Sequence, residues 1–260
     1  HLEHDGLLRG RKGRAMSKGK QLGNVMNNAE LIVRILKKAG TTHGFGIPSG
    51  NVLPLMDAMR LHELPFVLTA HEGSAGFAAD VMGRMTEAPG LGIATLGPGA
   101  TNLATGVGNA WLDRSPMIAI TCNLNTDQLG RRIQMYIDHH QLFAPITKAS
   151  LPLREGNVAE TVVEAIKIAM SEPCGPVHLD LPEDVAVAPA TETVTAMPAF
   201  ERAATAASDD IDVGIGILIS AKRPIAVLGS NSMRMRNPGL LLNFIERNAL
   251  PFATTTMAKG

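Results

Sequence analysis

Apolar and polar positions follow two rhythms along most of the chain. Asn27 or Asn28 precedes Leu31, Ile32, Ile35 and Leu36, which recur at the 3.6-residue period of a helix; Lys37 and Lys38 fill its last turn and Gly40 stops it. A short strand, Thr42 to Gly46, follows, and Pro48-Ser49-Gly50 turns the chain into a helix through Leu55 and Met59. Pro65 to Thr69 reads as a buried strand. The alternation continues with a helix from about Glu72 to Met85, a strand Gly92 to Leu96, a helix from about Thr101 to Trp111 and a strand Met117 to Thr121. After Cys122 a polar stretch without clear periodicity runs through His140 and reads as an ordered loop with a short helix. A strand near Thr147 to Leu153, a helix from Val158 to Met170 and a strand from Val177 to Leu181 complete the series.

Strands that are apolar throughout and separated by helices predict a parallel sheet covered on both faces and joined by right-handed crossovers. The expected fold class is therefore α/β: a doubly wound parallel sheet over residues 21–186. The stretch 187–208 is rich in Ala, Thr and Pro and reads as an extended surface linker. Residues 209–260 then show a helix from Ile211 to Ser220, a strand Ile225 to Leu228, a helix Leu240 to Asn248 and a strand Phe252 to Thr255. Two parallel strands cannot bury both faces, so this segment is expected to be the incomplete start of a second α/β domain.

Composition narrows the class. The 260 residues are 45% hydrophobic with 24 basic and 24 acidic side chains, too apolar and too evenly charged for a disordered chain. The balance hides an asymmetry: residues 1–20 hold Arg9, Arg11, Lys12, Arg14, Lys18 and Lys20 against Glu3 and Asp5, which leaves the body mildly acidic. That basic leader, without apolar periodicity, is expected to be expression-derived or disordered rather than a nucleic-acid or membrane arm. Aromatic residues make up 3%, little for stacking bases, and no apolar run reaches a membrane span. Cys122 and Cys174 are 52 residues apart and form no C-x-x-C pair, consistent with buried free thiols in a reducing, cytoplasmic compartment.

Ligands of open parallel sheets sit at the carboxyl ends of the strands. Three loops there converge on one edge: Gly46-Ile47-Pro48-Ser49-Gly50, His71-Glu72, and Gly97-Pro98-Gly99-Ala100-Thr101-Asn102. The last is neither a P-loop nor a dinucleotide fingerprint, because no Gly-Lys-Ser/Thr follows and Asn102 stands at the third glycine of G-x-G-x-x-G. It can still bring backbone close to a ligand at a helix N-terminus. Glu72 opens a helix of small and apolar residues, Gly73 to Ala79, so it is expected in a poorly solvated place where desolvation favours proton transfer while the helix end opposes it. An ordinary exposed first-turn glutamate is the plainer alternative. No metal site is expected: H-E-x-x-H fails at Ala75, and the adjacent His139 and His140 after Asp138 diverge on one element.

Taken together, Gly44-Phe45-Gly46-Ile47-Pro48, His71-Glu72 with Ala75, Ala78, Ala79 and Arg84, Gly97-Pro98-Gly99 with Asn102, Asp113-Arg114-Ser115-Pro116, and Gly175-Pro176-Val177 to Pro182 resemble the N-terminal pyrimidine-binding domain of thiamine diphosphate enzymes. The branch most similar is acetolactate synthase and related 2-oxoacid decarboxylases and carboligases. Residues 209–260 are similar to the first half of that family's central domain. The resemblance implies that Glu72 is the catalytic carboxyl that hydrogen-bonds N1′ of the aminopyrimidine and drives its imino tautomer, with Ile47, Pro48, Thr95, Gly97, Gly99 and Asn102 lining the pyrimidine pocket. It implies a 2-oxoacid substrate such as pyruvate, a homodimer or homotetramer, and substrate-loop positions at Gln134, His139 and His140. Pro-Ser-Gly replaces the family's Pro-Gly-Gly, which is tolerable if residue 49 has φ below zero. Pro173 stands where those synthases place an FAD-contacting arginine, which argues against FAD. The Gly-Asp-Gly segment that holds Mg2+ and diphosphate occurs nowhere in the 260 residues, so this chain alone is expected to be inactive. The competing expectations are a non-catalytic assembly module that keeps the fold and a nucleotide-binding oxidoreductase.

Overall fold

A computed structural model describes residues 25–133, 135–193, 197 and 206–259. The basic leader, Gln134 and most of the 194–205 stretch lie outside the described residues.

Local chemistry explains most element boundaries. Asn27 caps α1 (Asn28–Lys38) through a reciprocal capping box with Glu30. β1 (Gly44–Gly46) leads through a 3-10 turn at Gly50–Val52 into α2 (Leu53–Leu61), and β2 (Phe66–Leu68) follows. His71 caps α3 (Glu72–Met85), its Nδ1 accepting from the Gly73 amide at 3.0 Å. β3 (Gly90–Thr95) feeds α4 (Pro98–Leu112), which starts three residues before its expected onset because Pro98 at its first position has the φ a helix needs and no amide to leave unpaired. Then come β4 (Met117–Asn123), α5 (His139–Phe143), β5 (Ala149–Pro152), α6 (Val158–Met170), β6 (Pro176–Pro182) and α7 (Glu183–Val187).

The six strands form one parallel sheet in the order β2-β1-β3-β4-β6-β5. Large aliphatics on one face (Leu91, Ile93, Ile118, Ile120, Val177, Leu179) pack with α1, α2 and α6. The other face carries small residues, Ala94 and Ala119 among them, beneath α3 and α4. The two helices approach so closely that a Cβ on Gly76 would lie 2.8 Å from the Gly106 Cα. β3, β4 and β6 are buried on both faces, as their largely apolar composition predicts, although β4 and β6 also bury polar side chains on one face. β2 departs from its expected burial: it is the sheet's edge, with Leu68 67% exposed. Its composition is that of a core strand, but the crossover places it outside.

The linker's described beginning is tied to the domain. The Ala190 amide donates to the Met26 carbonyl at 2.8 Å, and the Glu192 carboxylate accepts from the Val158 and Ala159 amides at 2.7 and 2.9 Å, capping α6 from a distance. Beyond it stand α8 (Ser208–Ser220), β7 (Ala226–Leu228), α9 (Pro238–Arg247) and β8 (Phe252–Thr254), with β7 and β8 paired in parallel. Ile211, Val213, Ile217 and Ile219 of α8 are exposed.

Candidate functional site

The strand order reverses direction between β1 and β3, so their connections leave to opposite sides and open a crevice at the carboxyl end. The three loops picked out in the sequence meet there. Ser49 has φ −156°, so the side chain that replaces a glycine is accommodated without strain. Its Oγ donates to Thr95 Oγ1 at 2.8 Å and ties the β1 loop to the end of β3. Ile47 is half-buried and Pro48 exposed.

Glu72 sits in the first turn of α3 and is 8% exposed. Asn102, one turn into α4, donates its Nδ2 to Glu72 Oε2 at 3.0 Å. The carboxylate thus stands at the N-terminus of α3 and beside the first turn of α4, where Gly99 lies. Oε1 has no hydrogen-bond partner among the described residues, and a Cβ on Gly99 would stand 3.4 Å from it. Glycine at 99 therefore keeps a space open beside the free oxygen. Gly97, the N-cap of α4, has φ 61° and ψ −119°, a conformation suited to glycine; a Cβ there would also collide with the Met135 carbonyl.

A second crevice lies at the reversal between β4 and β6. Thr121 and Asn123 share one face of β4, and His178 and Asp180 the same face of β6; with His139 of α5 they form a buried polar cluster. His139 Nδ1 lies 2.9 Å from Asp180 Oδ1, and Asn123 Nδ2 donates to both Asp180 oxygens at 3.0 and 3.1 Å. Burial drives the Asp180 carboxyl up, but its hydrogen bond and charge interaction with His139, with His178 and Asn123 behind them, leave it below the ordinary value. Burial lowers His178 to about 3, so its ring is neutral.

His139, His178 and Asp180 present donor atoms within 4.8 Å of one another, the spread of a metal site. The centre is filled, however: Thr121 Oγ1 lies 2.9 Å from His139 Nδ1, 2.8 Å from His178 Nε2 and 3.1 Å from Asp180 Oδ1. Those are hydrogen-bond lengths, well beyond the ~2.0–2.2 Å of zinc coordination. The group is a hydroxyl-centred hub. Next to it, a cavity of about 610 Å³ is lined by Tyr136, Asp138, His140, Pro152, Arg154 and Asp180.

The structure thus brings Glu72, Thr95, Gly97, Gly99 and Asn102 together at the first crevice and puts His140 at the rim of the second. His139, 2% exposed, is packed inside rather than facing solvent. Sequence reasoning passed over Thr121, Asn123, His178 and Asp180, and weighed Ser49 only as a substitution in its turn. The signal was present: polar residues at i and i+2 in Thr121-Cys122-Asn123 and His178-Leu179-Asp180 mark one polar face within apolar strands.

Residues 26–142 match the family described as "Thiamine pyrophosphate enzyme, N-terminal TPP binding domain". Over 243 residues the chain is 34% identical to a protein named "Probable acetolactate synthase large subunit" from Methanocaldococcus jannaschii, covering 90% of this chain and 41% of that protein. It is 34% identical over 234 residues to "Acetolactate synthase" of Bacillus subtilis, covering 89% of this chain and 41% of the relative. Identity is again 34%, over 241 residues, to "Acetolactate synthase isozyme 1 large subunit" of Escherichia coli, where coverage is 89% and 42%. The chain therefore spans about two-fifths of the length of these relatives.

Proposed function

We infer that this chain, whose residues 26–142 form the N-terminal domain of a thiamine pyrophosphate enzyme of the acetolactate synthase-like kind, supplies the aminopyrimidine half of the cofactor site in a 2-oxoacid decarboxylase or carboligase. The observation that carries the reading is Glu72: a buried carboxylate with one oxygen held by Asn102 and the other free beside Gly99. A flat heterocycle with a ring nitrogen fits that arrangement. Glu72 Oε1 would accept or share a proton at N1′, Asn102 would keep the carboxylate from rotating, and Gly97 and Gly99 would let the α4 backbone approach the ring. Ile47 and Pro48 would close one side, and the Ser49–Thr95 bond would hold that side in place.

When bound, the cofactor supplies the electron sink for cleavage next to the 2-oxoacid carbonyl. The protein's part is to poise the proton at Glu72 and exclude water around it. Diphosphate and Mg2+ fall to residues other than these, and the substrate would be a 2-oxoacid such as pyruvate. Phe77, Val81 and Met85, spaced four apart on α3, and Trp111 and Leu112 on α4 are exposed apolar positions that support assembly as a homodimer or homotetramer. No helix among the described residues is long and apolar enough to cross a membrane, which is compatible with a cytoplasmic enzyme.

The deciding experiment is Glu72→Gln in the assembled enzyme, with turnover of pyruvate measured at saturating thiamine diphosphate and Mg2+. Loss of a proton-transfer group should lower kcat by about 10²-fold or more. Unchanged turnover would remove Glu72 from the chemistry and leave the alternative, a non-catalytic module that keeps the fold.

A further inference from the structure

The buried cluster at the β4–β6 reversal is a single hydrogen-bonded chain, and one assignment of hydrogens satisfies it. Asp180 Oδ1 can only accept. It receives the His139 Nδ1 proton at 2.9 Å, the Thr121 hydroxyl proton at 3.1 Å and an Asn123 amide proton at 3.0 Å. Thr121 has spent its one hydrogen on Asp180, so its oxygen accepts from His178 Nε2–H at 2.8 Å. His178 is neutral, with Nδ1 bare, and accepts the Ser150 hydroxyl at 2.7 Å. The Ser150 oxygen in turn accepts from His140 Nδ1–H at 2.7 Å.

The other end of the chain reaches the first crevice. Gly97 N–H donates to His139 Nε2 at 3.3 Å, so that nitrogen offers its lone pair while Nδ1–H is turned to Asp180. Gly97 is buried, adopts its turn without a side-chain cap, and begins the helix that carries Gly99 and Asn102. That amide has no other partner among the described residues. Protonation at Nε2 would replace the acceptor with a second donor aimed at it.

We propose that His139, oriented by Asp180, is a positioning residue for the cofactor-facing turn: its bare Nε2 tethers the Gly97 amide and so sets where Gly99 and Asn102 stand relative to Glu72. This role rests on the aminopyrimidine reading for its functional meaning, while the tether itself does not. Neither residue contacts the reacting group. His139, a substrate-loop position by resemblance, lies buried behind this turn.

Two measurements test the tether on the 260-residue chain. Long-range proton–nitrogen correlation of the histidine rings should show a pyrrole-type Nδ1 and a pyridine-type Nε2 at His139; an Nε2–H tautomer there overturns the proposal whatever the variants do. Hydrogen exchange at the Gly97 amide should quicken roughly tenfold or more in His139→Ala. In His139→Gln, whose side-chain oxygen can reach the Nε2 position, protection should largely return. Unchanged protection in His139→Ala would also overturn it. In the assembled enzyme His139→Ala should raise the cofactor's apparent KM more than it lowers saturated kcat, with rescue by His139→Gln. If the exchange results hold but Glu72→Gln turns over normally, the tether survives and the cofactor reading fails.

Discussion

Two glycines two residues apart on α4 should respond to the same substitution with opposite signs. Gly106 faces α3: a Cβ there would lie 2.5 Å from both Cα and the carbonyl carbon of Gly76 and 2.7 Å from the Phe77 nitrogen. Ordinary carbon contacts are ~3.5 Å or more, so the new methyl is ~1 Å too close to backbone that cannot rotate away. The helices must separate or tilt. Overpacking of this kind costs about 1–3 kcal/mol, and more where only backbone can give; replacing a helical glycine by alanine returns about 1 kcal/mol. Gly106→Ala should therefore destabilise the domain by about 2 kcal/mol. Gly108, by contrast, would meet only the Ile146 Cγ2 at 3.9 Å, so Gly108→Ala keeps the helix-propensity gain of about 0.5–1 kcal/mol. For a domain of this size about 2–4 °C follow each kcal/mol, so thermal unfolding should show a fall of about 4–8 °C for the first and a rise of about 1–4 °C for the second. The effect reaches the site as well, because separating the helices draws Asn102 away from Glu72, now 3.0 Å apart. If both variants shift Tm in the same direction, or Gly106→Ala is neutral, the close α3–α4 crossing described above is wrong.

Acid should destabilise the fold in two stages. His178, held to about 3, binds its proton in the unfolded chain from pH 6.5 downward, so stability falls between about pH 6.5 and 3 by an amount on the order of several kcal/mol. Asp180, held below its ordinary 3.8, adds a contribution that is full above that pH and fades below it; in urea titrations across pH, His178→Gln should flatten the first stage and leave the second. Glu192→Ala leaves the Val158 and Ala159 amides without their shared carboxylate and should cost about 1 kcal/mol in urea unfolding, while the mutation of a merely exposed glutamate would cost nothing measurable. Burial pushes both thiols upward in pKa, Cys122 most of all, so neither should react with a thiol reagent in native protein and both should react after unfolding; prompt native labelling of Cys122 would contradict its place in β4.

What the sequence determined by itself was set by interactions within a few residues. The capping box at Asn27, the limits of α3 from Glu72 to Met85, and the largely apolar segments that become β3, β4 and β6 are consequences of helix capping, 3.6-residue periodicity and two-sided burial. Glu72 and the 97–102 loop stood out for the same reason, since a carboxylate opening a helix of small residues and a Gly-Pro-Gly turn are local oddities. Tertiary structure decided which of these local features became neighbours. The order β2-β1-β3-β4-β6-β5 sends β2 to the edge, where its apolar residues face outward, and lays β6 against β4, so that Asp180 and His178 meet Thr121 across 59 and 57 residues of chain. It also brings Gly76 under Gly106 and His139 behind Gly97. Periodicity tells a residue which face of its element it occupies; only the crossovers determine what that face will meet.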